Sequence, residues 1–218
     1  MEYAQAIEKL KLLAKAENTA GMARFGINPQ NTLGVSIPVL RMLAKKMGKN
    51  HRLAGKLWKS GFHEARILAA LVDEPEQVTA RQMDGWAKDF DSWDVCDQVC
   101  SNLFDKTLFA YEKVAEWSES KEEFVKRAGF VLMAALAVHD KKALDGKFER
   151  FFPLIRREAL DGRNFVKKAV NWALRQLGKR NAALRRKAIQ EAEKILKIDS
   201  PSAKWIARDA LRELKIKR

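Results

Sequence analysis

Trp93 and Asp97 stand four residues apart within Asp89–Cys100, Asp-Phe-Asp-Ser-Trp-Asp-Val-Cys-Asp-Gln-Val-Cys. On a helix this spacing puts the indole and the carboxylate on one face, about one turn apart. Such a pair has a defined chemical competence. A carboxylate stabilises a transient cation by its charge, and an indole face supports the same cation through a cation–π contact. A core tryptophan beside a solvated carboxylate is the commoner arrangement for the pair taken alone. The segment reads as a helix entrance, with Asp91 or Ser92 as cap and Trp93 opening the first turn.

A second constellation follows downstream. Lys168, Trp172, Arg175 and Lys179 recur at intervals of 4, 3 and 4, so they form one helical face. Phe165, Val166, Ala169, Val170, Ala173, Leu174 and Leu177 form the apolar stripe of the same segment. A tryptophan in a row of cations suits nucleic acid, with the ring on sugar or base and the cations on phosphates. The alternative is a ring covered by the aliphatic stems of its neighbours. Arg127 lies off the apolar stripe Phe124, Ala128, Val131, Ala135 and Val138. It is placed either to hold a phosphate through two parallel hydrogen bonds or to pair with Asp97. Arg66, Arg163, Lys167 and Arg180 complete the candidate nucleic-acid contacts.

Charge is distributed to match. The net charge is +14, and residues 141–218 hold 23 Lys and Arg against 9 Asp and Glu, whereas the first 140 residues balance. Between Gly162 and Gln190 there are nine basic residues and no acidic one. A localised positive field attracts a polyanion, which an even surface charge does not.

Other chemistries find no support. His51, His63 and His139 lack metal-ligand spacing, and Cys96 and Cys100, one turn apart, read as buried free thiols of a reducing cytoplasm. No glycine-rich phosphate loop and no Ser/His/Asp arrangement occurs, so neither a metal nor a cofactor is expected. The longest apolar run, Phe130–Val138, is about half a membrane span, and residues 1–5 do not resemble a secretory signal.

The elements that must position these residues are helices. At 47% hydrophobic and 32% charged residues the composition is that of a globular protein, and the segments carry a helical period. The expected helices are 2–16, 17–25, 38–47, 51–60, 62–73, 78–90, 92–104, 107–118, 121–139, 143–160, 164–178, 181–197 and 202–214. From residue 50 onward they fall into pairs with short links. Aligning the second members makes Arg66, Asp97, Arg127, Lys168 and Arg208 equivalent, at intervals of 31, 30, 41 and 40 residues. Pairs repeating at about 30–45 residues indicate an all-α solenoid, here one domain spanning 1–218, with a compact bundle as the alternative.

With these residues in place, the sequence resembles the AlkD-type DNA alkylation repair glycosylases, which are built of HEAT-like repeats. The resemblance covers nearly the whole chain. It rests on Gly34–Arg41, Ser92-Trp93-Asp94…Asp97, Lys126-Arg127-Ala128, and Asp161…Phe165…Lys168-Ala169…Trp172-Ala173-Leu174-Arg175. It implies removal of cationic N3- and N7-methylpurines from duplex DNA by a monomeric, cofactor-free enzyme. It also implies that Asp97 faces the deoxyribose, that Trp93 and Trp172 pack on the sugar, and that Arg127 supports carboxylate and backbone. Phe25 stands where the family usually has tyrosine, and Ser36-Ile37 replaces a polar pair.

The residue chemistry agrees with that implication. A positively charged purine is already a good leaving group, so no general acid is needed, and the demanding step is stabilising the oxocarbenium-like sugar. A non-catalytic HEAT-repeat protein that binds DNA structures is the second reading, and a protein-binding scaffold the third.

Overall fold

The computed structural model describes residues 1–216, and every regular element among them is a helix. The chain packs as two compact units, Met1–Phe109 and Ala110–Arg218.

The first unit contains α1 (Tyr3–Leu12), α2 (Ala16–Arg24), α3 (Ile37–Met47), α4 (His51–Lys59), α5 (His63–Val72), α6 (Ala80–Lys88) and α7 (Trp93–Asn102). Helix α5 packs on α3, α4 and α7. It is therefore apolar nearly all round, with Ala65, Ile67, Leu68, Ala69, Ala70 and Val72 buried. Helices α4 and α6 meet through Trp58 and Trp86, whose rings stack 4.1 Å apart and almost parallel. The Trp58 indole N–H donates to Asp89 Oδ2 at 2.8 Å, which satisfies its one polar atom.

The loop before α3 is fixed by a single acidic residue. Glu64 of α5 is fully buried, and its carboxylate accepts from the backbone N–H groups of Leu33 (2.8 Å), Gly34 (2.6 Å) and Val35 (3.2 Å). Gly34 has φ +74°, and a Cβ there would lie 2.2 Å from the Lys15 carbonyl oxygen. No other residue fits this backbone and this approach.

The second unit contains α8 (Ala110–Ser118), α9 (Glu123–His139), α10 (Asp145–Glu149), α11 (Phe151–Glu158), α12 (Asn164–Arg180), α13 (Ala182–Leu196) and α14 (Pro201–Leu214). Helix α12 packs between α9 and α14, while α8, α11 and α13 pack as the first members of the pairs α8/α9, α11/α12 and α13/α14. This is the HEAT-like repeat. Gly129 makes the first of these pairs close: a Cβ there would sit 2.7 Å from the backbone nitrogen of Ser118.

Two expectations are corrected here. The stretch 143–160 is two helices, α10 and α11, broken at Arg150. Pro153 is the physical reason, because it has no N–H for the Glu149 carbonyl and its ring crowds that oxygen. Helix α9 has no solvated side in its middle. Residues 125–137 are all buried, including Lys126 and Arg127, while Val138 is exposed. Its neighbours α8 and α12 cover it from two directions, which a single amphipathic stripe does not anticipate. No helix among the described residues is long and apolar enough to cross a membrane.

Candidate nucleic-acid interface

In the first unit, α7 begins at Trp93 with Ser92 at the N-cap position. Ser92 does not cap with its side chain, contrary to expectation. Its hydroxyl oxygen accepts from the Asn28 backbone N–H at 2.9 Å, and Asp91 Oδ2 accepts from the Asn28 side-chain amide at 2.9 Å. Both candidate caps are thus spent on tying the 28–31 turn to the start of α7. Next in sequence, Trp93 donates its indole N–H to the Phe25 carbonyl at 3.0 Å. Phe25 itself is 73% exposed, so an aromatic ring projects beside the half-buried Trp93. Asp97 lies one turn along α7 from Trp93 and is also half-buried.

Beneath this face, His63 Nε2 and Asp94 Oδ2 are 2.8 Å apart, and the His63 backbone N–H donates to the Asn31 carbonyl at 3.0 Å. Burial opposes a charge on His63, but the hydrogen bond and charge of Asp94 outweigh it and the imidazole pKa is raised. Asp94 Oδ1 is buried without a hydrogen-bond partner. Two arginines flank the region. Arg41, which composition alone does not single out, reaches Gln98 Oε1 at 3.4 Å, beside Asp97 on α7. Arg66 donates to the Asp89 carbonyl at 2.9 Å and lies over the Trp58 ring, 5.3 Å from its centroid. Arg66 therefore braces α5 against the end of α6.

In the second unit, Arg127 is only 5% exposed and donates from Nη1 to the Phe165 carbonyl at 2.7 Å. It is built into the start of α12. Arg163 is similarly committed: it forks onto Asp161 through Nε and Nη2 and gives Nη1 to the Lys121 carbonyl at 2.7 Å. Burial acts against the Asp161 carboxylate, yet Arg163 holds its pKa below the usual range. Arg180 donates to the carbonyls of Ala137 and Ala143, each at 3.0 Å, and covers the Phe148 ring.

The outer face of α12 retains the predicted order. Lys168 is exposed, and Trp172 and Arg175 are half-buried. Arg175 and Lys179, however, converge on Glu213 of α14, Arg175 at 2.6 Å. The pair keeps the Glu213 pKa below its ordinary value although burial acts the other way. Lys167 lies over the Trp205 ring, 5.1 Å from its centroid. Of the candidate phosphate ligands on α12, Lys168 is the one that is exposed and forms no ion pair among the described residues. Arg208 on α14 has the same standing.

Cys96 and Cys100 form no disulfide and are fully buried, as their spacing suggests. Burial, then the hydrogen bond with Cys96 and the nearby charge of Asp97, pushes the Cys100 thiol well up, so it stays protonated and inert.

No curated protein matches the chain. A solved structure described as "A new family of proteins related to the HEAT-like repeat DNA glycosylases with affinity for branched DNA structures" matches with a TM-score of 0.81. The match covers 100% of this chain and 98% of that one at 20% identity, which establishes a shared fold. The sequence model of the family described as DNA alkylation repair enzyme matches residues 6–214. On that match, the chain belongs to the DNA alkylation repair enzyme family.

Proposed function

We propose that this protein binds DNA and recognises its form, preferring junctions and interrupted duplexes to uniform helix. The carrying observation is the outer face of α12, where the exposed Lys168 and half-buried Trp172 lie within the most basic stretch of the chain. Two further features favour a selective surface over a general polyanion trap. Arg163 and Arg180 are consumed by the framework, and Arg175 and Lys179 share Glu213. Lys168 is left exposed on that face without an ion pair. The affinity for branched DNA attached to the fold relative supports the same reading.

The test is binding to a duplex, a forked duplex and a four-way junction of one composition at several salt concentrations. The junction should bind tightest. The log–log salt slope should be about −3 to −4, corresponding to about four phosphate contacts. Equal affinity for all three, or no binding, would remove the proposal.

A second reading, excision of cationic alkylated purines, is favoured by Trp93 and Asp97 on one face of α7. In this reaction the glycosidic bond breaks as water adds at C1′, and the purine leaves neutral. Asp97 and the indole face would stabilise the cationic sugar, and the carboxylate would take the proton of the attacking water. Release of N7-methylguanine from a singly modified duplex is the direct assay.

A further inference from the structure

Helix α14 exposes a tryptophan that its own amphipathic pattern has no use for. Ala203, Ile206, Ala207, Ala210 and Leu214 form the buried stripe, and Trp205 points away from it, 42% exposed. The ring borders a shallow concavity of about 790 Å³ shared with Lys204, Arg208 and Arg212. Asp199 and Asp209 also line it. Each carboxylate is already engaged, Asp199 by Lys204 at 2.6 Å and Asp209 by Arg212. Lys167, which reaches across from α12 onto one face of the ring, and Arg208 are the neighbouring cations that form no ion pair among the described residues.

An accessible indole with unneutralised cations on both helices matches one ligand chemistry well. An unpaired nucleotide offers a flat base for the ring and phosphates for Lys167 and Arg208. Paired bases inside a duplex keep their faces stacked and offer the ring nothing. An acidic peptide would use the cations and leave the indole idle.

We infer that Trp205, with Lys167 and Arg208, is a stacking platform for an unpaired nucleotide of a bound DNA strand. The inference rests on the DNA-binding reading above and gives one physical source for a preference for interrupted duplexes.

The experiment compares a blunt duplex with the same duplex carrying a short single-stranded overhang. Wild-type protein should bind the overhang substrate about 5- to 100-fold more tightly, the range for one stacked base. Trp205→Ala should abolish that increment and leave blunt-duplex affinity within about twofold, while Trp205→Phe keeps most of it. Arg208→Ala should lower the salt slope for the overhang substrate by about 0.7. Trp205→Gln, polar and compatible with a helix, provides a second variant should the alanine protein unfold. The inference is overturned if wild type shows no overhang preference, if Trp205→Ala and Trp205→Gln retain it, or if they weaken both substrates alike. Tighter binding of an acidic peptide than of oligothymidine would overturn it too. Absence of binding to any DNA would instead defeat the parent proposal.

Discussion

The indole of Trp93 is hydrogen-bonded to the backbone carbonyl of Phe25, 68 residues earlier, at 3.0 Å. The bond fixes the ring in the plane that its neighbours on α7 must work with, and Asp97 follows one turn along the same face. If this face performs excision, the charge of Asp97 is what matters. Asp97→Asn should slow release of N7-methylguanine by roughly 10²-fold or more, the scale for losing a preorganised charge. DNA affinity should hold or rise slightly, because a repulsion against phosphate disappears. Uracil, a neutral and poor leaving group, should stay attached in single-turnover assays of either protein. Unchanged excision in Asp97→Asn would exclude the carboxylate from the chemistry.

Glu213 restrains the positive face of α12. Replacing it by Gln removes one negative charge and releases Arg175 and Lys179 for phosphate. Affinity for undamaged duplex should rise about 3- to 10-fold at low salt, and the salt slope should steepen by about 1 to 2. Fluorescence anisotropy across a salt series reads both quantities. A weakened complex would mean that Glu213 orders these side chains into the geometry DNA requires.

The His63–Asp94 contact ties stability to pH. The folded-state pKa of His63 is raised above its ordinary 6.5, so protonation favours the folded state. Its contribution is complete below the unfolded value and disappears as pH rises through the folded one. Urea midpoints should therefore decline in wild type as pH rises above the ordinary histidine value of about 6.5, and Asp94→Asn should flatten this part of the profile.

Gly129→Ala sets two effects against each other. Alanine improves helix propensity by about 1 kcal/mol, but its Cβ would lie 2.7 Å from the Ser118 backbone, and such overpacking costs about 1–3 kcal/mol. The contact is with backbone, which yields little, so the overpacking cost should dominate. Denaturant unfolding should show a lower midpoint with an unchanged slope.

Most helices are legible because each stripe repeats at 3.6 residues and each stop is marked by glycine, proline or a polar turn. The loop glycine at 34 and the buried thiols follow from the same local rules. What escapes is set by partners distant in sequence. Arg175 and Lys179 look like free phosphate ligands until Glu213, 38 and 34 residues later, is placed against them. Ser92 looks like a cap until Asn28 claims its hydroxyl. Arg127 looks surface-facing because α9 has a recognisable stripe, yet α8 and α12 enclose the rest of it. Trp205 is missed for the opposite reason. In α12 a row of cations draws attention to Trp172, whereas Trp205 gains Lys167 only across helices.

Glu64 has a consequence for what the loop before α3 can bind. Three successive N–H groups converging on two oxygens form a concave anion receptor of the kind that elsewhere cradles phosphate. Here the chain occupies its own receptor with an internal carboxylate. The 33–35 loop is thereby closed to any external phosphate. The loop is a self-ligated site: its donors are saturated before any ligand arrives.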